Sequence, residues 1–272
     1  MQYAQANGAR IPVLGLGTWE LRGRACAAAV EEAVRLGYRH VDTAEMYGNE
    51  EAVGEGLRAS GIARDEVFVT TKVWPDNLAP KDLERAAKHS LSRLRLQYLD
   101  LLLIHWPNPR IPLAGTMAAL CRMRETGVAR NVGISNFTVP LMAEAMRLAT
   151  VPLVTNQFEW HPWLDQSQLV AACRRHGLAV TAYSPLGRGR AARDATLARI
   201  AARVGKTGGQ VCLRFLLQQG AIVIPRTARR ARLRENMEVF DFELGVEDIE
   251  DIRGLGRRGG RMVDWTGAPD WD

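Results

Sequence analysis

The stretch Leu99-Asp100-Leu101-Leu102-Leu103-Ile104-His105 decides how the chain folds. It is apolar at nearly every position, which suits a parallel strand covered on both faces rather than one with a wet side. A polar residue, His105, closes it. The same pattern recurs upstream. Val67-Phe68-Val69-Thr70-Thr71 runs into Lys72, and Arg39-His40-Val41 runs into Asp42, with Tyr47 five residues farther on in the following loop. These runs repeat at about 30 residues, the length of one strand–helix unit. In a parallel barrel all strand ends face one mouth, so residues distant in sequence converge there. A carboxylate, a phenol, an amine and an imidazole at one mouth make a proton-transfer site.

The rest of the chain keeps the alternation. Residues 2 to 13 read as a hairpin around Asn7-Gly8, a strong two-residue turn signal. Strands are expected at 13–18, 40–43, 67–71, 99–104, 131–135, 153–157, 179–183 and 221–224. Helices are expected at 24–36, 50–59, 81–94, 115–125, 140–148, 167–175, 195–204 and 209–217, with another opening near Arg229. Eight strand–helix units predict an α/β fold, a single (β/α)8 TIM barrel over residues 1–272, with the N-terminal hairpin and a short C-terminal tail over the active-site mouth. A doubly wound sheet is the rival. It would normally carry a third glycine after Gly15-Leu16-Gly17, where Thr18-Trp19-Glu20 stands instead.

Composition narrows the function. The chain has 272 residues, 47% of them hydrophobic, and a net charge of +6. Its apolar runs are too short and interrupted to span a bilayer, and the N-terminus lacks the basic and apolar segments of a signal peptide. Cys26, Cys121, Cys173 and Cys212 have no metal-ligand or redox spacing, so small buried thiols, a reducing cytoplasm and no metal are expected. The densest basic run, Arg226 to Arg234, has no interleaved aromatics, which argues against a stacking platform for nucleic acid.

Across nearly the whole chain, the motifs resemble those of the aldo-keto reductases. They include Gly15-Leu16-Gly17-Thr18-Trp19, Asp42-Thr43-Ala44-Glu45-Met46-Tyr47-Gly48-Asn49-Glu50, Thr70-Thr71-Lys72-Val73-Trp74, Leu103-Ile104-His105-Trp106-Pro107, Gly133-Ile134-Ser135-Asn136-Phe137, Asn156-Gln157, Tyr183-Ser184-Pro185-Leu186-Gly187 and Ile224-Pro225-Arg226-Thr227. Any one is weak; all of them in this order are a strong signal. The ending Gly260-Arg261-Met262-Val263-Asp264 through Pro269-Asp270-Trp271-Asp272 is similar to that of a bacterial branch associated with methylglyoxal and 2,5-diketo-D-gluconate reduction.

The resemblance implies NADPH-dependent reduction of small aldehydes and ketones by a monomer. It makes Asp42, Tyr47, Lys72 and His105 the catalytic tetrad. Tyr47 would be the general acid, its phenol lowered from about 10 by the Lys72 ammonium. Asp42 would keep Lys72 charged, and His105 would orient the carbonyl oxygen. Ser135, Asn136 and Gln157 would hold the nicotinamide carboxamide, and Tyr183 would stack on its ring. Backbone groups around Ser184 and Leu186 would meet the pyrophosphate. Arg226, Thr227, Arg232, Glu235 and Asn236 match the adenosine-phosphate end, with Arg226 in place of the commoner lysine. Trp19, Trp74 and Trp106 would wall the substrate pocket, and Trp265 and Trp271 would lie in the covering tail. The loop from Arg188 to Arg193 would steer acidic substrates, cover the cofactor phosphates, or simply be solvated. A catalytically idle barrel serving as a cofactor sensor or structural partner is the alternative, against which an intact tetrad argues. A phosphate-binding barrel isomerase would not need this set.

Overall fold

A computed structural model describes every residue except Arg258, Trp265 and Asp272. Asn7 and Gly8 take positive φ values of 47° and 89°, the geometry of a tight two-residue turn. They join β1 (Tyr3–Ala6) to β2 (Ala9–Pro12) as an antiparallel hairpin. Eight parallel strands follow: β3 (Leu16–Gly17), β4 (His40–Asp42), β5 (Phe68–Val73), β6 (Leu99–Ile104), β7 (Ala129–Ser135), β8 (Leu153–Glu159), β9 (Ala179–Tyr183) and β10 (Ala221–Val223). They neighbour one another in sequence order.

The sheet closes on itself. Gly15 and Gly17 donate backbone hydrogen bonds to Val223 and Pro225, and Val223 donates to Val13. A Cβ at Gly17 would sit 2.6 Å from the Ile224 carbonyl oxygen, so closure requires glycine there. This also explains the short first strand. Residues 13–18 were expected as one strand, but only Leu16 and Gly17 pair with β4, while residues 13 to 15 bond toward β10.

Helices α1 (Gly23–Arg35), α2 (Glu50–Ala59), α3 (Pro80–Leu94), α4 (Leu113–Glu125), α5 (Val139–Leu148), α6 (Ser167–Arg175), α7 (Ala195–Val204), α8 (Gly208–Gln218), α9 (Arg230–Met237) and α10 (Val246–Arg253) cover the barrel. Leu99, Leu101, Leu102, Leu103 and Ile104 of β6 are all buried. Leu102 and Ile104 join the large core under the helices, whereas Leu101 and Leu103 join a smaller cluster with Ile11 of the hairpin. The two-sided burial read from the sequence is thus realised, and β2 covers one end of the barrel. All four cysteines are free and buried. Among the described residues, no helix is long and apolar enough to cross a membrane.

Candidate active site

The carboxyl ends of the strands open on a cleft of about 950 Å³. Asp42 ends β4, Lys72 lies near the end of β5, and His105 follows β6. Tyr47 ends a 3-10 turn, Glu45–Tyr47, closed by Gly48 at φ 62°. The Glu45 carboxylate fastens that turn by accepting from the Trp74 backbone N–H at 3.1 Å and Asn77 Nδ2 at 2.7 Å.

The fully buried Lys72 ammonium donates to Asp42 Oδ1 at 2.5 Å, the Thr43 carbonyl at 2.8 Å and the Tyr47 hydroxyl at 3.4 Å. Gln157 Nε2 donates to Asp42 Oδ2 at 2.8 Å. The rings of Tyr47 and His105 meet edge to face at 5.7 Å, and Trp19 and Trp74 flank them at 5.0 and 5.2 Å. Burial, then the Lys72 charge, pushes the His105 imidazole well below its usual value, leaving it neutral. Its Nδ1 is buried without a hydrogen-bond partner among the described residues.

One expectation is reversed. Lys72 was expected to lower the Tyr47 phenol, but burial first and the Asp42 charge second hold it well above its usual value. The main reason is burial, which disfavours the charged phenolate; the Asp42 carboxylate, held at 2.5 Å on Lys72, adds to it. The phenol therefore stays protonated.

The second half of the barrel supplies the other wall. Asn136, at φ 62°, donates to the His105 carbonyl at 2.9 Å and to Ser135 Oγ at 3.1 Å, and its Oδ1 accepts from the Tyr183 hydroxyl at 2.7 Å. Asn136, Gln157, Tyr183, Ser184 and Leu186 line the cleft. Ser135 does not; it is fully buried beside Asn136. At the far end stand Arg226, Thr227, Arg232, Glu235 and Asn236. Arg226 is paired with Glu20 at 2.6 Å and Arg232 with Glu235, both half-exposed. Trp19, Trp74 and Trp106 all line the cleft, as do Val263 and Asp264 of the tail. Trp271 packs against Trp106 at 5.9 Å, whereas Trp265 lies outside the described residues.

Sequence reasoning missed Glu20, which also lines the cleft. The one signal for it is a carboxylate directly after Trp19. Arg188, at φ 51°, is exposed and lines the cleft.

The cleft suits a nicotinamide dinucleotide. It runs from the Tyr47 and His105 end, past amide side chains and the positive-φ residues Asn136, Ser184 and Arg188, to a cluster of arginines. A long polar ligand ending in phosphate matches that order of groups.

Residues 13–257 match the family model described as the Aldo/keto reductase family. The chain is 40% identical over 266 residues to a methylglyoxal reductase DkgB of Escherichia coli O157:H7, spanning 96% of this chain and 99% of that protein. It is 39% identical over 252 residues to a glyoxal reductase of Bacillus subtilis (strain 168), spanning 92% and 91%. A crystal structure provisionally described as a 2,5-diketo-D-gluconic acid reductase B superposes with a TM-score of 0.98 at 44% identity, over 100% of this chain and 98% of that one. Fold, site and sequence agree that this chain belongs to the aldo/keto reductase family.

Proposed function

We propose that the protein reduces small aldehydes and ketones to alcohols with NADPH, Tyr47 acting as the general acid. The observation that carries this reading is the Tyr47–Lys72 contact at 3.4 Å, with Lys72 itself held by Asp42. Because the hydroxyl accepts from Lys72, its own hydrogen is left to point toward a substrate oxygen. Burial keeps that hydrogen on the phenol until a stronger base, the developing alkoxide, takes it. The ammonium beside it then stabilises the phenolate that remains. The neutral His105 imidazole would orient the carbonyl oxygen without protonating it.

When bound, the nicotinamide supplies the hydride that no side chain can. Gln157, Asn136 and, from behind, Ser135 would hold its carboxamide, with Tyr183 against the ring. Backbone groups at Ser184 and Leu186 would meet the pyrophosphate. Arg226 and Arg232 would grip the ribose phosphate, with Thr227, Glu235 and Asn236 around the adenosine. Trp19, Trp74 and Trp106 would wall the carbonyl pocket; methylglyoxal and 2,5-diketo-D-gluconate are the candidates that the relatives' names suggest. We read residues 1–272 as one such barrel domain, working as a cytoplasmic monomer.

The test is the loss of NADPH absorbance with methylglyoxal, simple aldehydes and 2,5-diketo-D-gluconate, compared by specificity constant. Turnover of at least one carbonyl supports the reading. Cofactor binding without turnover of any would instead support the idle barrel.

A further inference from the structure

Glu159 ends β8 two residues after Gln157, yet it does not line the cleft. It is a completely buried carboxylate, and such a group is costly unless its oxygens are well bonded. Its partners come mainly from the far end of the chain. Oε1 accepts the backbone N–H of Met262 at 2.8 Å, and Oε2 that of Val263 at 3.0 Å. The Arg261 guanidinium stands 3.8 Å from Oε2. Buried His161 approaches Oε1 at 3.0 Å from the barrel side. The tail is thereby fixed at two consecutive amides. From that point Val263 and Asp264 enter the cleft wall. Arg261 lies over the Trp271 ring at 3.4 Å, and Trp271 rests against Trp106, next to His105.

We infer that Glu159 is a positioning residue for substrate: a buried carboxylate clamp that holds the tail against the barrel and so builds the Trp106–Trp271 wall of the carbonyl pocket. This rests on the proposed reductase reading, since the wall matters only if a carbonyl binds beside it. The wall that the clamp builds stands on the substrate side, although the Glu159 backbone also pairs in register with Tyr183 of β9. Its loss should therefore weaken an aromatic substrate, which needs the apolar wall, more than a small one such as methylglyoxal.

Two variants test the clamp from opposite sides. Glu159→Gln keeps the shape but replaces one acceptor oxygen by a donor that faces an N–H. Met262→Pro leaves Glu159 in place and removes one N–H from the tail. Hydrogen exchange of the Val263 amide should accelerate in each by about tenfold, the scale of one charge-assisted hydrogen bond, while the amides of β5 and β6 keep their protection. The double variant should be no worse than the poorer single one, because both break the same contact. With NADPH, KM for nitrobenzaldehyde should rise by about tenfold and more than KM for methylglyoxal, with the NADPH dissociation constant unmoved. Unchanged Val263 exchange in both variants would overturn the clamp. So would an NADPH dissociation constant that rises in step with KM, which would mark a general structural role. If the wild-type protein reduced neither aldehyde, the reductase reading would fail, and the exchange data would still decide whether Glu159 holds the tail.

Discussion

Gln157 donates to Asp42 at 2.8 Å, joining the exits of β8 and β4 across the barrel mouth. This bond couples the proposed cofactor wall to the proposed tetrad, because the other Asp42 oxygen holds Lys72. A residue expected to bind only the nicotinamide carboxamide therefore also orients the buried carboxylate that positions the lysine.

Gln157→Leu should expose that coupling. It leaves one oxygen of a buried carboxylate without its donor, which costs about 1–3 kcal/mol. Urea unfolding should shift by that amount, and turnover should fall together with NADPH affinity. A variant that lost affinity but kept both stability and turnover would confine Gln157 to the cofactor.

The arginine pairs make cofactor preference a competition. Arg226 is held by Glu20 and Arg232 by Glu235, so a phosphate must displace or share those carboxylates. Arg232→Ala should raise the NADPH dissociation constant by about tenfold, toward the low end for a charge-assisted contact that is half-exposed. NADH affinity should barely change, and the effect should shrink in high salt. Glu20→Gln should tighten NADPH by a few-fold, since surface ion pairs are worth about 1 kcal/mol or less. Fluorescence titration of both cofactors reads all of these. Equal weakening of NADPH and NADH in Arg232→Ala would place the phosphate elsewhere.

His40 gives the fold a pH dependence of known sign. It is buried between the Pro12 carbonyl and Thr70 Oγ1, and burial lowers its pKa to about 4. The unfolded chain, with an imidazole near about 6.5, takes up that proton first. His40 therefore contributes its full stability above about pH 6.5, and loses it as pH falls toward about 4. Between pH 7.5 and 4.5 the loss is about 2–3 kcal/mol. In urea titrations the gap between wild type and His40→Asn should narrow by that amount over this range. A constant gap would mean His40 does not stay neutral in the folded protein.

Much of this architecture is legible in the sequence because its signals are local. The leucine run of β6 states its two-sided burial directly. Asn7-Gly8 marks the hairpin, and Pro80 opens α3, which ends at Leu94 as expected. What escaped depends on partners far along the chain. Residues 13 to 15 look like strand, but bond to β10 more than two hundred residues later. Helix α10 was missed because its residues are mostly charged, and only Asp248 and Ile252 are buried. The proposed tetrad could be located by strand ends, yet not the sign of the Tyr47 shift, which burial in the folded site sets first and the Asp42 charge second. Glu159 was hidden for the same reason: its partners are backbone amides of the tail, which no side-chain pattern announces.

The central claim is that Tyr47 delivers the proton, and single-turnover reduction of methylglyoxal by NADPH-loaded Tyr47→Phe tests it most directly. The substitution removes one hydroxyl, whose hydrogen-bond partner among the described residues is Lys72, so the fold and NADPH affinity should be retained. The reduction rate should fall by about 10²–10⁴-fold, the usual worth of a general acid. A Tyr47→Phe protein that binds NADPH normally and reduces methylglyoxal at close to the wild-type rate would contradict the account.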